Sequence, residues 1–440
     1  MDESKRTKPK PRGADSSTDP ALLSHGRYGT DDTISIWGPE RTMQFSLDAQ
    51  AAAARTMSEL HPDIIPPEHA KEITDAAKLA NASIYGGLKA VERLAGRYPE
   101  ILTGCVVSNL RRQIENDEFG INPFRIRELE AKGSHDVIAI NTALQERISA
   151  EAAAHVNKAR TSADTTETAK ALQNKLSLVV VIDSLQNLRD ILLEQMKRWK
   201  VPHMDVTHFY DALPTLAGRP FAFYAETLQT GIDKLAEVYA NSVRGKWADA
   251  TGNHHSAVSL GIDGMELQKK YCEGLGIGWM TAPAQIPARE FLFDIISGMA
   301  RNAGTLENIA RYVRTGRGDD TGIFVVPKGA KGSSGMPHKN AKGGNPIKEE
   351  QSESYWRFMT GQLATAHSSI QFDYARDLTA SASDRIMFDD VFKWGDHSIR
   401  ELARAVYVLE LVPERCIERV QRSYGVVTSE QLMTYLTDQM

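Results

Sequence analysis

The chain has 440 residues, 41% of them hydrophobic, and a net charge of -5. That is enough apolar material for a large core shared among two or three domains, and too little positive charge for a general nucleic-acid binder, which needs a basic face. Cys105, Cys272 and Cys416 stand far apart and suggest neither a disulfide framework nor a zinc knuckle; with no apolar run near the ~20 residues that span a bilayer, a reduced, cytosolic protein is expected.

Residues 1–22 are polar and rich in Lys and Pro, without the apolar stretch of a signal peptide, and read as a disordered leader. A helical N-terminal domain is expected over 23–160. Residues 165–199 then run without Pro or Gly, with Thr161, Ser162 and Asp164 placed to cap the start of a long helix. The VVVI run at its centre is apolar on every side and must be surrounded by other helices. Leu228, Ile232, Leu235, Tyr239 and Val243 share one helical face; Leu292, Ile295, Met299, Ala303, Leu306, Ala310 and Val313 share another. A fourth helix is expected after Pro346. Such helices predict an all-α bundle over 161–388, and the VVVI girdle predicts that subunits pack their bundles together. A strand is expected only at TGIFVV, 321–326.

The Gly- and Lys-rich segment 328–346 interrupts the bundle, and a loop of that length in a compact fold is often a binding loop or lid. Its core is KGSSGMPHKNAKGGNP, residues 331–346. Glycines let backbone N–H groups approach a ligand. Ser333 and Ser334 offer hydroxyls that can serve as nucleophile, base or donor, and Lys339 offers a fixed positive charge. Taken alone, the segment is equally well a solvated surface loop.

The segment resembles the signature of the fumarase/aspartase superfamily, GSSxMPxKxNP, through Ser333, Ser334, Met336, Lys339 and Asn345. It departs once: five residues, NAKGG, stand between Lys339 and Asn345 where the family has one. THFYDALPTLAG at 207–218 is similar to the family's THxQPAxPTTxG block and supplies His208, with Tyr210-Asp211 in place of Gln-Pro. Further segments resemble the adenylosuccinate lyase branch. SHGRYGT gives Arg27 and Tyr28. SHDVIA gives His135 and Asp136. RTSADTTETA gives Thr161 and Ser162. ATGNHHSA at 250–257 matches a glycine-rich turn, TAPAQIPAREF gives Gln285, and YARDLTASASDRI gives Arg376, Ser381 and Arg385. His155 stands about two positions from where the family often has a histidine.

The resemblance implies a three-domain, all-α fold, with 389–440 as a shortened C-terminal helical domain, whose central bundles form a multi-subunit helical core, assembled as a homotetramer. Active sites would be shared, with His135, His208 and Ser333 coming from separate chains. It implies a β-elimination releasing fumarate, with Ser333 as base, His208 as acid and Lys339 as supporting cation, the remaining residues holding the substrate. A serine hydroxyl is a poor base in water, so donors, positive charge and exclusion of solvent must activate it. A loop that opens for substrate and closes for chemistry meets that need. The implied substrates are adenylosuccinate and the succinyl-carboxamide ribotide of purine synthesis; no metal, organic cofactor, nucleic acid or membrane is expected as a partner. The alternatives are a superfamily lyase acting on argininosuccinate, aspartate, malate or a secondary-metabolite succinyl amine, and a catalytically silent structural relative.

Overall fold

The computed structural model describes residues 27–80, 120–133, 135–327, 333, 335–340 and 343–439. The leader, Cys105 and Ser334 lie outside them. The helices that position the site are α1 (Asp31–Trp37), α2 (Pro39–Leu60), α3 (Asp136–Gln145), α4 (Ser162–Arg198), α5 (Arg219–Ser242), α6 (Glu290–Arg317), α7 (Ile347–Ser368), α8 (Ser381–Tyr407) and α9 (Pro413–Gln421).

The long helix α4 starts where its capping residues stand. The Thr161 amide donates to Asp164 Oδ2 at 2.8 Å, which satisfies a donor the helix cannot use. Lys197 and Arg198 in the last turn complement the negative end of the helix dipole. At 37 residues, the helix is about 55 Å long at 1.5 Å per residue. It packs against α5 and α8 along its sides and against α2 near its start, while α6 packs on α5, α7 and α8. The expected apolar faces are the ones buried: Leu228, Ile232 and Leu235 on α5, and Ile295, Met299, Ala303, Leu306, Ala310 and Val313 on α6. Close approach of α5 to α6 depends on Gly231, where an added Cβ would fall 2.2 Å from Asn302 Oδ1.

The VVVI girdle corrects one expectation. Val179, Val180, Val181 and Ile182 are at most 6% exposed within a single chain, so their burial does not call for a second subunit.

A buried polar clasp holds the start of the described chain to the bundle. Asp396 accepts from Thr30 Oγ1 and Ser184 Oγ, both at 2.5 Å, and Arg400 bridges Asp32 at 2.6 Å and Asp396 at 2.9 Å. Trp37 stacks on Phe388 and Phe392 beside it.

Beyond α4 the chain makes an antiparallel hairpin, β1 (Pro202–Thr207) with β2 (Tyr210–Leu216), which the sequence did not announce. Pro202 pairs with Leu216 and Thr207 with Tyr210, with a one-residue register shift between Met204 and Val206. Its tip, His208-Phe209, has φ of 52° and 67°. Such a turn is usually marked by Asn-Gly or Asp-Gly. The strand expected at 321–326 contracts to β3 (Phe324–Val325), paired with β4 (Glu410–Leu411). Helix α8 continues through residue 388, where a domain boundary was expected.

Candidate active site

The start of α4 forms one side of the site. Asp164, fully buried, accepts from four donors: the Thr161 amide, the Ala248 amide at 3.0 Å, the Asp249 amide at 3.2 Å, and the Lys246 ammonium. Burial pushes the Lys246 pKa down, and the Asp164 carboxylate opposes that shift. This pair fastens the glycine-rich turn to the Thr161-Ser162 segment. The turn hands the connection on. The Ala250 carbonyl accepts from Gln285 Nε2 at 2.8 Å, and Gln285 Oε1 accepts from Arg376 Nη1 at 3.1 Å. Thr161, Ser162, Gln285 and Arg376 are therefore joined through a continuous set of contacts.

Next to them lies a narrow cleft lined by Glu167, Lys170, Arg289, Arg376, Ser381 and Asp384 among others. Lys170 is 3.2 Å from Asp384 and 3.3 Å from Glu167, and Arg289 also pairs with Asp384. Burial works to raise the Glu167 pKa, but Lys170 and then Arg289 outweigh it and leave the carboxyl below its ordinary value. Ser381 opens α8 and faces this cleft. One turn on, Arg385 donates to Asp136 Oδ2 at 2.8 Å. That contact brings in the HDV segment, where His135 caps α3 with its Nδ1 2.7 Å from Asp136 Oδ1. The His155 ring lies 5.3 Å from that of His69. Arg27 is exposed, and Tyr28 packs on Trp394 and His397 of α8.

His208, Ser333 and Lys339 stand apart from this group. The hairpin follows the far end of α4, about 55 Å from Thr161 by the length of the helix, and its tip is exposed. The signature loop follows α6 at that same end, where Phe324 packs on Trp199 and Phe221. The Met336 amide donates to Ser333 Oγ at 3.1 Å. Lys339 and Met336 are exposed, and the Asn345 carbonyl accepts from the Ile347 amide at 2.9 Å, at the start of α7.

Sequence reading missed Asp164, Lys246, Glu167, Lys170, Arg289 and Asp384 as parts of the site. Five of them stand inside or beside the segments already singled out; Lys246 is four residues before the glycine-rich turn. Their roles depend on pairings across the fold that spacing does not encode.

The cleft sets Lys170, Arg289 and Arg376 against Glu167, Asp377 and Asp384, with Arg376 held by the neutral Gln285; a guanidinium suits bidentate contact with an anionic substrate, and this constellation sits on a long-helix bundle. A family model described as lyase matches residues 113–357. That is more than half the chain, and the chain belongs to this lyase family. Its fold is the all-α fumarase/aspartase type. It is similar to the adenylosuccinate lyase of Pyrococcus abyssi, 27% identical over 94% of this chain and 81% of the relative. It is also similar to the adenylosuccinate lyase of Methanocaldococcus jannaschii, 26% identical over 93% and 79%, and to that of Bacillus subtilis, 28% identical over 74% and 73%. Among solved structures, fumarate lyase from Mesorhizobium sp. BNC1 superposes with a TM-score of 0.73 at 17% identity, covering 93% of this chain and 82% of the other. The 3-carboxy-cis,cis-muconate lactonizing enzyme of Pseudomonas putida superposes at 0.74 and 20% identity, covering 95% and 83%. These two likenesses concern the fold alone.

Proposed function

We propose that the protein cleaves adenylosuccinate to AMP and fumarate, and the succinyl-carboxamide ribotide to its carboxamide and fumarate, as a cytoplasmic enzyme of purine biosynthesis. The observation that carries this reading is the Gln285–Arg376 contact beside the Ser381 cleft, within a chain whose relatives over nearly its whole length are adenylosuccinate lyases.

The substrate brings a phosphate and two carboxylates. Arg376 and Arg385, with Arg27 and Tyr28, are read as holding its charged groups, and Thr161, Ser162, Gln285, Ser381, Ser334, Met336 and Asn345 as orienting it. His135 and Asp136 take the phosphate side. Ser333 removes the proton from the carbon beside a carboxylate. Lys339 and the loop amides stabilise the charge that builds on that carboxylate. The C–N bond then breaks while His208 protonates the leaving nitrogen. No step needs a metal or organic cofactor.

His208 lies a helix length away from Thr161 of its own chain, which supports a homotetramer whose sites draw residues from several subunits. On this reading 23–160 is the N-terminal domain, the shared bundle with its loop at 328–346 runs from 161 through the end of α8 at Tyr407, and the C-terminal part follows it.

Purified protein is mixed with adenylosuccinate, and substrate loss and fumarate release are followed for the parent and for Ser333→Ala. Turnover by the parent alone is expected. Equal turnover by both would remove Ser333 from the mechanism, and none by a folded parent would remove the substrate.

A further inference from the structure

We infer that Asn340, the first residue of the NAKGG insertion, is a positioning residue that fixes the backbone of Ser333 for catalysis. This rests on the reading of Ser333 as the base.

Asn340 reaches back seven residues and holds Ser333 from both sides. Its Oδ1 accepts from the Ser333 amide at 2.9 Å, and its Nδ2 donates to the Ser333 carbonyl at 3.2 Å. The Met336 amide donates to Ser333 Oγ at 3.1 Å, and the Met336 carbonyl accepts from the Lys339 amide at 3.0 Å. Ser333, Met336, Lys339 and Asn340 thus close on one another in a single turn. Engaging the amide and the carbonyl of one residue restrains its φ and ψ together, and with them the direction in which its side chain leaves the chain. The Met336 amide, aimed at Oγ, is the kind of donor that favours an alkoxide.

The far end of the insertion is also fixed. Gly343, at φ +87°, sits against Val326, where an added Cβ would fall 2.6 Å from the Val326 Cβ. The Gly344 amide donates to the Lys339 carbonyl at 2.9 Å. Arg317 donates to the Gly344 carbonyl at 3.1 Å and to Glu349 Oε1 at 2.7 Å, tying the insertion to α6 and α7. Asn340, Gly343 and Gly344 thus tie this part of the loop to Ser333 and to the bundle.

The test compares the parent with Asn340→Ala and Asn340→Asp. Two neutral hydrogen bonds correspond to a fall in kcat of about 10- to 30-fold for Asn340→Ala, with KM within about twofold. Asn340→Asp keeps the acceptor for the Ser333 amide but sets a carboxylate oxygen against the Ser333 carbonyl, and falls at least as far. In parallel, hydrogen exchange is followed on the peptide spanning 333–340. The Ser333 and Met336 amides exchange faster in Asn340→Ala if the clamp operates. Unchanged kcat with unchanged exchange overturns the inference; a rise in KM alone overturns it too, by making Asn340 a substrate contact. Should the parent fail to turn over adenylosuccinate, the proposed function falls by itself, and the exchange comparison still decides the clamp: faster exchange supports it and unchanged exchange removes it.

Discussion

Arg385 donates to Asp136 at 2.8 Å, joining segments 249 residues apart. Burial would raise the Asp136 pKa, but the Arg385 hydrogen bond and the Val137 amide prevail and hold it below its ordinary value. Their side chains are 64% and 26% exposed, so solvent screens much of the attraction. Arg385→Ala is expected to change unfolding free energy by less than about 1 kcal/mol while raising KM for adenylosuccinate several-fold. Denaturant unfolding and initial-rate kinetics check both. A large stability loss with unchanged KM would make the pair a structural tie.

The Asp164–Lys246 pair should behave in the opposite way. Both side chains are at most 1% exposed, and removing one partner strands a buried charge. Lys246→Met is expected to destabilise the fold by about 3–5 kcal/mol. A loss below about 1 kcal/mol, read from chemical denaturation, would mean that water reaches Asp164 when the lysine is removed.

Shared sites predict complementation. His208→Ala and Arg376→Ala proteins should each be inactive. Unfolded together and refolded as a mixture, they should regain about a quarter of parent activity, the random-assortment fraction for a site drawing these residues from two copies. No recovery from correctly assembled mixtures would place both residues of each site in one chain.

Burial lowers the pKa of His203, with Arg419 adding to the effect against Asp205 and Asp211. It also lowers that of His254, where Lys246 adds to the effect and Asp249, Asp164 and Asp263 oppose it. An imidazole with a depressed folded value binds fewer protons than the unfolded chain does, so its stabilising contribution is present above the ordinary 6.5 and fades as pH falls below it. Stability is expected to drop between pH 7.5 and 5.5, with a shallower drop in His203→Gln. An unchanged slope in that variant would show that His203 does not carry this dependence.

The long helices were legible in the residues alone. Apolar residues at steps of three and four place α5 and α6, and a Gly- and Pro-free run behind Thr161 places α4. The sequence also supplied the motif residues, because resemblance is carried by short consecutive segments. These features are local, and neighbouring residues suffice to encode them. Other features exist only once distant segments have packed. The His208 hairpin has a tip in the left-handed region without the glycine that would mark it. Lys246 meets Asp164 across 82 residues, and the VVVI girdle is covered inside one chain. Asn340 turns back on Ser333 from an insertion whose sequence reads as loop. Each of these depends on which faces of distant elements come together, and burial, ion pairing and clamping arise only when they do.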